Sequence, residues 1–170
     1  MTLFVARLTR DHARESFVSG RDELDVWFRR YAVTNDARYG TAAVWVLCDS
    51  DLGDGLMPLG YYTLSTHSVA LHDVADLGLT QSRQWPDPIP AILLGRLAIA
   101  EAAQGRGLGT RLLRDAAAKA MDVSRQVGAV LFVAEAIDDK ALEFYERRGF
   151  RRLADDRLVA RIKDLEANLR

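Results

Sequence analysis

The sequence predicts an α/β domain built on a mixed β-sheet with helices on both faces. Three observations carry this reading. Residues 42–48 (AAVWVLC) and 57–65 (MPLGYYTLS) are β-branched and aromatic runs separated by the turn cluster DSDLGDG, which reads as an antiparallel hairpin. Residues 91–100 (AILLGRLAIA) and 130–136 (VLFVAEA) are continuous apolar runs, the pattern of strands buried on both faces. A long helical pattern lies between those two runs, as a parallel pair joined by a right-handed crossover requires.

The elements follow in order. Residues 3–8 (LFVARL) form a first short strand. Over 22–35, Leu24, Trp27, Phe28 and Tyr31 recur at helical spacing, and Gly20 and Asp22 supply a start. After the hairpin, the stretch QWPDPIP (84–90) holds three of the four prolines and is predicted to be irregular, because each Pro removes a donor and restricts its predecessor. Residues 107–126 place Leu108, Leu112, Leu113, Ala116, Ala117, Ala120, Ser124 and Val127 on one stripe, with Gly128 as the stop. Residues 138–150 read as a short helix capped by Asp138 and closed by Gly149, and 158–162 as a last strand. There is no internal repeat, and 170 residues predict a single domain over 1–170.

Composition narrows the function. Hydrophobic residues make up 49% and charged residues 28%, so the chain can bury a core without staples. One cysteine, Cys48, excludes an internal disulfide framework and reads as a small core residue. His12, His67 and His72 are scattered without metal-ligand spacing, so no metal is expected. No segment has the length of a signal-peptide apolar region or a membrane span, which predicts a cytoplasmic protein. The net charge is −1, but it divides into +1 over residues 1–40, −4 over 41–100 and +2 over 101–170. Of 23 basic residues, 20 are Arg, which reads either as compositional bias or as bidentate phosphate binding. Trp27 and Trp45 are expected in the core, and Trp85, in the proline loop, is open to a lid or contact role beside an ordinary packing one.

The strongest local signal is Gln104-Gly105-Arg106-Gly107-Leu108-Gly109, between a buried strand and a long helix. Alternate glycines allow backbone conformations closed to other residues and let a ligand approach the main chain. The N–H groups of the following helical turn then converge, which suits a phosphate or pyrophosphate. The spacing is neither that of a dinucleotide fingerprint nor that of a P-loop.

LGRLAIAEAAQGRGLGTRLLRDA resembles the acetyl-CoA signature of the GNAT (Gcn5-related) N-acetyltransferases, with Gln104, Gly107 and Gly109 at its core. AIDDKALEFYERRGF resembles the second signature of that family through Ala141, Phe144, Tyr145, Gly149 and Phe150. A narrower similarity, through FVSGRDELDVWFRRY (17–31), GYYTLSTHSV (60–69) and PAILLGRLAI (90–99), is to the TacT/AtaT-type acetyltransferase toxins of toxin–antitoxin modules. The resemblance implies a mostly antiparallel sheet of six or seven strands. It implies acetyl transfer from acetyl-CoA to the α-amino group of aminoacyl-tRNA. It also implies a ribbon-helix-helix (DUF1778-type) antitoxin and a homodimer.

By the same resemblance, acetyl-CoA is bound by Leu97, Ala98, Ile99, Gln104, Gly105, Arg106, Gly107, Leu108, Gly109, Thr110 and Phe144, and Tyr145 is the general acid. A lysine side chain would have to lose about 3.4 pKa units, about 4.6 kcal/mol, to be neutral at pH 7, whereas an α-amine starts near pKa 8. No base is evident beyond Glu101 and Glu135, which fits the easier amine. A tRNA substrate calls for positive surface, and the candidates are Arg29, Arg30, Arg38, Arg96, Arg147, Arg148, Arg151 and Arg152. Two other readings stay open: a GNAT acting on a small amine or protein N-terminus, and an idle acyl-CoA-binding regulatory module.

Overall fold

The computed structural model describes residues 1–79 and 85–170. They form seven strands and five α-helices: β1 (Leu3–Arg7), α1 (Asp22–Arg30), β2 (Ala43–Asp49), β3 (Gly60–Val69), α2 (Leu71–Val74), β4 (Ile89–Ile99), α3 (Leu108–Gln126), β5 (Leu131–Glu135), α4 (Asp139–Glu146), β6 (Arg151–Arg152), β7 (Arg157–Arg161) and α5 (Leu165–Asn168). The strands share one sheet in the order β1-β2-β3-β4-β5-β7-β6. β1/β2, β2/β3, β5/β7 and β6/β7 pair antiparallel, and β4/β5 is parallel. The predicted mixed sheet, hairpin and crossover are all present. The described chain divides into two compact units, Met1–Ser65 with Arg96–Asp115, and Thr66–Gly95 with Ala116–Arg170.

The first unit shows why the sheet is covered on both faces. Val44, Val46 and Cys48 alternate along β2 and are wholly buried against Leu24 and Phe28 of α1 and Ala32 just beyond it. Tyr61 of β3 belongs to the same face: its ring stacks on Phe28 at 4.2 Å, and its hydroxyl donates to the Leu24 carbonyl at 2.7 Å. The neighbouring residues of β3 face the other way, towards the start of α3. Tyr62 donates to Asp115 at 2.5 Å, and Gly60 lies where a Cβ would meet Ile99 and Leu112 side chains and the Ala98 carbonyl. Asp36 accepts both ends of the Arg7 guanidinium (2.7 and 2.6 Å) and the Val44 N–H (2.9 Å), which ties β1 and β2 to the segment after α1.

In the second unit β5 is buried on both faces. Leu131 and Val133 pack with Ile89, Ala91, Val159 and Val69, while Phe132 approaches Phe150 at 6.0 Å. The Asp138 carboxylate caps α4 by accepting from the Ala141 N–H at 2.8 Å, and Gly149 adopts φ 85° in the turn that closes that helix, both as predicted.

Several expectations are corrected. The helix predicted over 22–35 ends at Arg30 and gives way to a π-helical segment at Thr34–Tyr39. Its buried stripe runs Leu24, Phe28, Ala32, so Tyr31 is turned out and 49% exposed. β4 starts at Ile89 rather than after the prolines; its pairing with β5 begins at Ala91, and the Pro90 carbonyl accepts from Val130 at 2.9 Å, so the missing Pro90 donor interrupts no bond to β5. Gln84, the first residue of the predicted loop, lies outside the described residues. The α3 stripe is buried through Ala120, but Val127 is 67% exposed, and Gly128 lacks the left-handed conformation of a helix-ending glycine. Trp45 is half-buried beneath Arg7 instead of in the core, and Trp85 takes the ordinary packing role, against the cluster around Ile89 and Val133. The two-residue strand β6 and the short α2 and α5 were too brief to leave a periodic signal.

Because backbone as well as side chains would have to shift, Gly60→Ala is expected to destabilise the fold by about 1–3 kcal/mol, lowering Tm by about 3–10 °C in a thermal melt. A melt within 1 °C of the parent, about the experimental error, would show that β3 and β4 do not approach each other so closely.

Candidate active site

In the first unit β4 delivers the chain into the glycine loop. Leu97 and Ile99 are half-buried and Ala98 is buried. Beyond Ile99 the Ala100 N–H donates to Leu59 and the Glu101 N–H to Val18, and one tight turn leads to Gln104. Gly105 and Gly107 both have φ 75°, and a Cβ at either would meet nothing within 4 Å. Backbone conformation, not crowding, therefore demands glycine there, and the space beside the loop is open. The Arg111 N–H bonds back to the Gly107 carbonyl at 3.2 Å, so α3 begins with Leu108 buried and the N–H groups of Leu108 and Gly109 ahead of the helical ladder. Gly109 and Thr110 lie in that opening turn. This is the geometry of an anion-binding helix start. Arg106 is exposed and its guanidinium contacts the Met1 sulfur, while Arg111 donates to the Leu3 carbonyl at 3.0 Å.

What holds this loop is a network that periodicity did not reveal. The Gln104 carboxamide donates to the Ser19 carbonyl at 2.8 Å and to the Ile99 carbonyl at 2.9 Å. Ser19 is held in turn by Asp25, which is 2% exposed and accepts the Ser19 N–H through both oxygens (3.0 Å each) and its hydroxyl at 2.6 Å. Gly20, at φ 89°, lies so close to the Glu101 carboxylate that a Cβ would sit 2.8 Å from Oε1. The signal was present in the segment SGRDELD, as a glycine flanked by a small hydroxyl residue and an acid, and it was read only as a helix start.

Tyr145 belongs to the second unit and is buried at 4% exposure. Phe144 packs edge-on at 5.1 Å and Phe150 at 5.4 Å. Burial pushes the phenol well above its ordinary value, and the Arg148 charge pulls it part of the way back. The side chain is thus a proton-bearing donor across the physiological range. Phe144 is half-buried beneath Arg148, whose guanidinium carbon lies 3.9 Å from the ring centroid and which donates to the Phe144 carbonyl at 2.7 Å.

The arginines proposed from the sequence prove to be in different situations. Arg29 binds the Phe17 carbonyl through two nitrogens, at 3.0 and 2.8 Å. Arg147 pairs with Glu143, Arg152 lies 3.6 Å from Glu146, and Arg151 donates to the Leu77 carbonyl. The densest basic run in the sequence is therefore a mixed-charge surface: Arg147 and Arg152 line the same groove as Asp139, Glu143 and Glu146. Arg30 is exposed, and Arg38 lies over the exposed Tyr39 ring at 5.5 Å. Arg96 lies over Trp27 at 4.0 Å.

Of the two conceivable bases, Glu101 is exposed with its carboxylate beside Gly20, and Glu135 is exposed at the end of β5 opposite Arg157. The half-buried His67 has its pKa lowered by burial and by Arg157, while His72 is exposed and pairs with Asp73 at 2.9 Å. His12 accepts from the Thr9 N–H at 3.0 Å and is buried. Cys48 is fully buried, with its thiol pushed up to about 11 chiefly by desolvation. Among the described residues no group of side chains could hold a metal ion, and no helix is long and apolar enough to cross a membrane.

The family model described as the acetyltransferase (GNAT) domain matches residues 40–152. A "tRNA-acetylating toxin" of Mycobacterium tuberculosis (strain ATCC 25618 / H37Rv) is 38% identical over 135 residues, covering 79% of this chain and 76% of that protein. Among solved structures, AtaT complexed with acetyl-methionyl-tRNAfMet superposes with a TM-score of 0.83 at 26% identity, over 97% of this chain and 98% of that one. A tyrosine-to-phenylalanine mutant of the AtaT toxin, bound to the C-terminus of the antitoxin AtaR and to acetyl-CoA, superposes with a TM-score of 0.81 at 26% identity, over 98% of both chains. The family match spans the hairpin, the glycine loop with the helix it opens, and the turn after Tyr145, and with it this chain belongs to the GNAT acetyltransferase family.

Proposed function

We propose that this protein is a toxin-type N-acetyltransferase that transfers acetyl from acetyl-CoA to the α-amino group of aminoacyl-tRNA, and so blocks translation. The observation that carries the reading is the loop 104–109: left-handed glycines beside open space, directly ahead of a helix start. Such a loop suits a pyrophosphate, and the donor set is backbone N–H with no metal required. The similarity to a tRNA-acetylating toxin, and to AtaT with acetyl-CoA and with acetyl-methionyl-tRNA, supports the choice of both substrates.

Acetyl-CoA supplies the acetyl thioester. The N–H groups of Gly105–Thr110 would hold its pyrophosphate, with Arg106 close enough in sequence to add a charge. Main-chain groups of Leu97, Ala98 and Ile99 would align the pantetheine arm, and Phe144 would pack beside it. Tyr145 is the candidate general acid. Its phenol lies above pKa 10 through burial, whereas a thiol lies near 8.5, so complete transfer of the proton to the departing sulfur is uphill. A hydrogen bond donated to the sulfur as charge develops suffices to lower the barrier, and the nearby Arg148 charge eases the proton's departure. The α-amine of an aminoacyl ester starts near pKa 8 and is lowered further by the electron-withdrawing ester, so an appreciable fraction is neutral near pH 7 and little or no base is needed. Accordingly, neither Glu101 nor Glu135 is required as a base.

The same reading supplies the surroundings: a cytoplasmic protein, a homodimer, and neutralisation by an antitoxin of the ribbon-helix-helix (DUF1778) type. AtaT is itself bound to the C-terminus of an antitoxin.

The direct test is transfer of labelled acetyl to a panel of charged tRNAs, with lysine peptides and free amines in parallel. Charged tRNA is expected to be the preferred acceptor, and label appearing only on peptides or small amines would overturn the reading. Tyr145→Phe is expected to lower kcat by about 10²–10⁴-fold with acetyl-CoA affinity retained; undiminished turnover would remove Tyr145 from the mechanism. The same variant also reports protonation. The phenolate absorbance that develops up to about pH 11 should match the parent protein, because Tyr145 keeps its proton throughout. A decrease of one tyrosine's worth would show that it ionises in the ordinary range.

A further inference from the structure

The eight arginines differ in what already holds them. Arg29 and Arg151 bind carbonyl groups, Arg147 and Arg152 face glutamates, and Arg148 both stacks on Phe144 and caps its carbonyl. Arg30 and Arg38 stand on exposed surface. Arg96 is the exception in a specific way. It is half-buried and oriented by its stack on Trp27, 4.0 Å from the ring centroid, yet among the described residues its guanidinium makes no hydrogen bond or ion pair. Trp27 is stacked on its own account against Tyr61 (interplanar angle 17°), which stacks on Phe28, so the half-buried platform under Arg96 is packed against the core of the first unit.

Arg96 and Trp27 border a groove of about 450 Å³ that is completed by Val26, Tyr31, Asp22 and Glu23. Val26 and Tyr31 leave 38% and 49% of their surface exposed. We propose that this groove receives a nucleobase of the unpaired 3′ end of the tRNA substrate, sandwiched on the Arg96 guanidinium. The inference rests on the aminoacyl-tRNA reading and deepens it. A pre-oriented guanidinium with unused donors on an aromatic platform is a surface on which a flat base stacks and is bonded at its edge. Apolar walls accept the base faces. The two carboxylates repel a phosphate, but accept hydrogen bonds from the exocyclic amines of adenine and cytosine, the bases found at that end. The position also fits. Arg96 immediately precedes Leu97–Ile99, the strand segment assigned to the acyl arm, and the amine to be acetylated belongs to an aminoacyl group esterified to the terminal nucleoside itself.

The test compares binding of uncharged tRNA with an intact 3′ end and the same tRNA trimmed of its terminal unpaired nucleotides. The parent protein is expected to prefer intact tRNA by about tenfold, in line with the stacking of one base. Arg96→Ala should bind the two alike. Arg96→Lys should behave as Arg96→Ala does, because an ammonium keeps the charge and loses the stacking plane. Tyr31→Ala, at an exposed position whose loss does not threaten the core, should weaken the preference about threefold; thermal melts check that each variant is folded. Restoration of the preference by Lys would mean an ordinary phosphate contact and would overturn the proposal. So would a preference that survives both Arg96→Ala and Tyr31→Ala. If the parent acetylates charged tRNA without preferring intact 3′ ends, the functional reading stands and this inference fails. If the parent acetylates no charged tRNA, the functional reading fails and takes the inference with it.

Discussion

The candidate cofactor site depends on the two hydrogen bonds of the Gln104 carboxamide, to Ser19 on one side and Ile99 on the other. A loop with two left-handed glycines has little intrinsic preference for one shape, since glycine is the residue with most conformational freedom to lose. Gln104 fixes where the loop leaves β4, and the Arg111 bond to Gly107 fixes where it enters α3. Ser19, whose carbonyl accepts from Gln104, is held in turn by Asp25 through three hydrogen bonds to a buried carboxylate. Leaving such donors unpaired in the interior would cost about 1–3 kcal/mol each. The start of α1 and the glycine loop are thus one construction, although some 80 residues separate them in the chain.

Electrostatics divides the labour in a similar way. The loop presents main-chain dipoles, which need no charge of their own to bind an anion. Most of the arginines that looked available from composition are held by carbonyls or carboxylates, so their number overstates the free positive potential. A net charge of −1 then becomes intelligible: the chain is no general polyanion binder, and contact with a nucleic acid would have to be local and shaped. The Arg96 platform is the local feature of that kind, where orientation is supplied by a stack on Trp27 instead of by an ion pair.

Much of this was legible in the sequence because the signals were local. The glycine spacing, the Asp138 cap, the continuous apolar strands and the hairpin each follow from neighbours within a few residues. The corrections share another cause. Tyr31 and Val127 were placed on buried stripes by helical periodicity, but a stripe drifts as a helix turns, and only the packed sheet decides where burial stops. Residue type points Trp45 to the core and the proline loop leaves Trp85 open, whereas Arg7 and the Ile89 cluster determine how each is covered. The Ser19–Asp25–Gln104 network joins distant segments through polar atoms, which no hydrophobic pattern records. The run Arg147 to Arg152 reads as a basic patch in the sequence for a related reason: the glutamates that meet it, Glu143 and Glu146, come from α4, and the pairing of Glu146 with Arg152 exists only once α4 and β6 are folded.

Acetyl transfer at this site requires binding of the acetyl-CoA pyrophosphate by main-chain amides of the glycine loop. This binding is tested most directly by following assigned backbone amide resonances while acetyl-CoA, or acetyl-pantetheine lacking the pyrophosphate, is titrated in. Acetyl-CoA should shift the amides of Gly105, Gly107, Leu108 and Gly109 together with those of Leu97–Ile99, and acetyl-pantetheine should shift only the strand. Loop amides that stay in place at saturating acetyl-CoA would contradict the account.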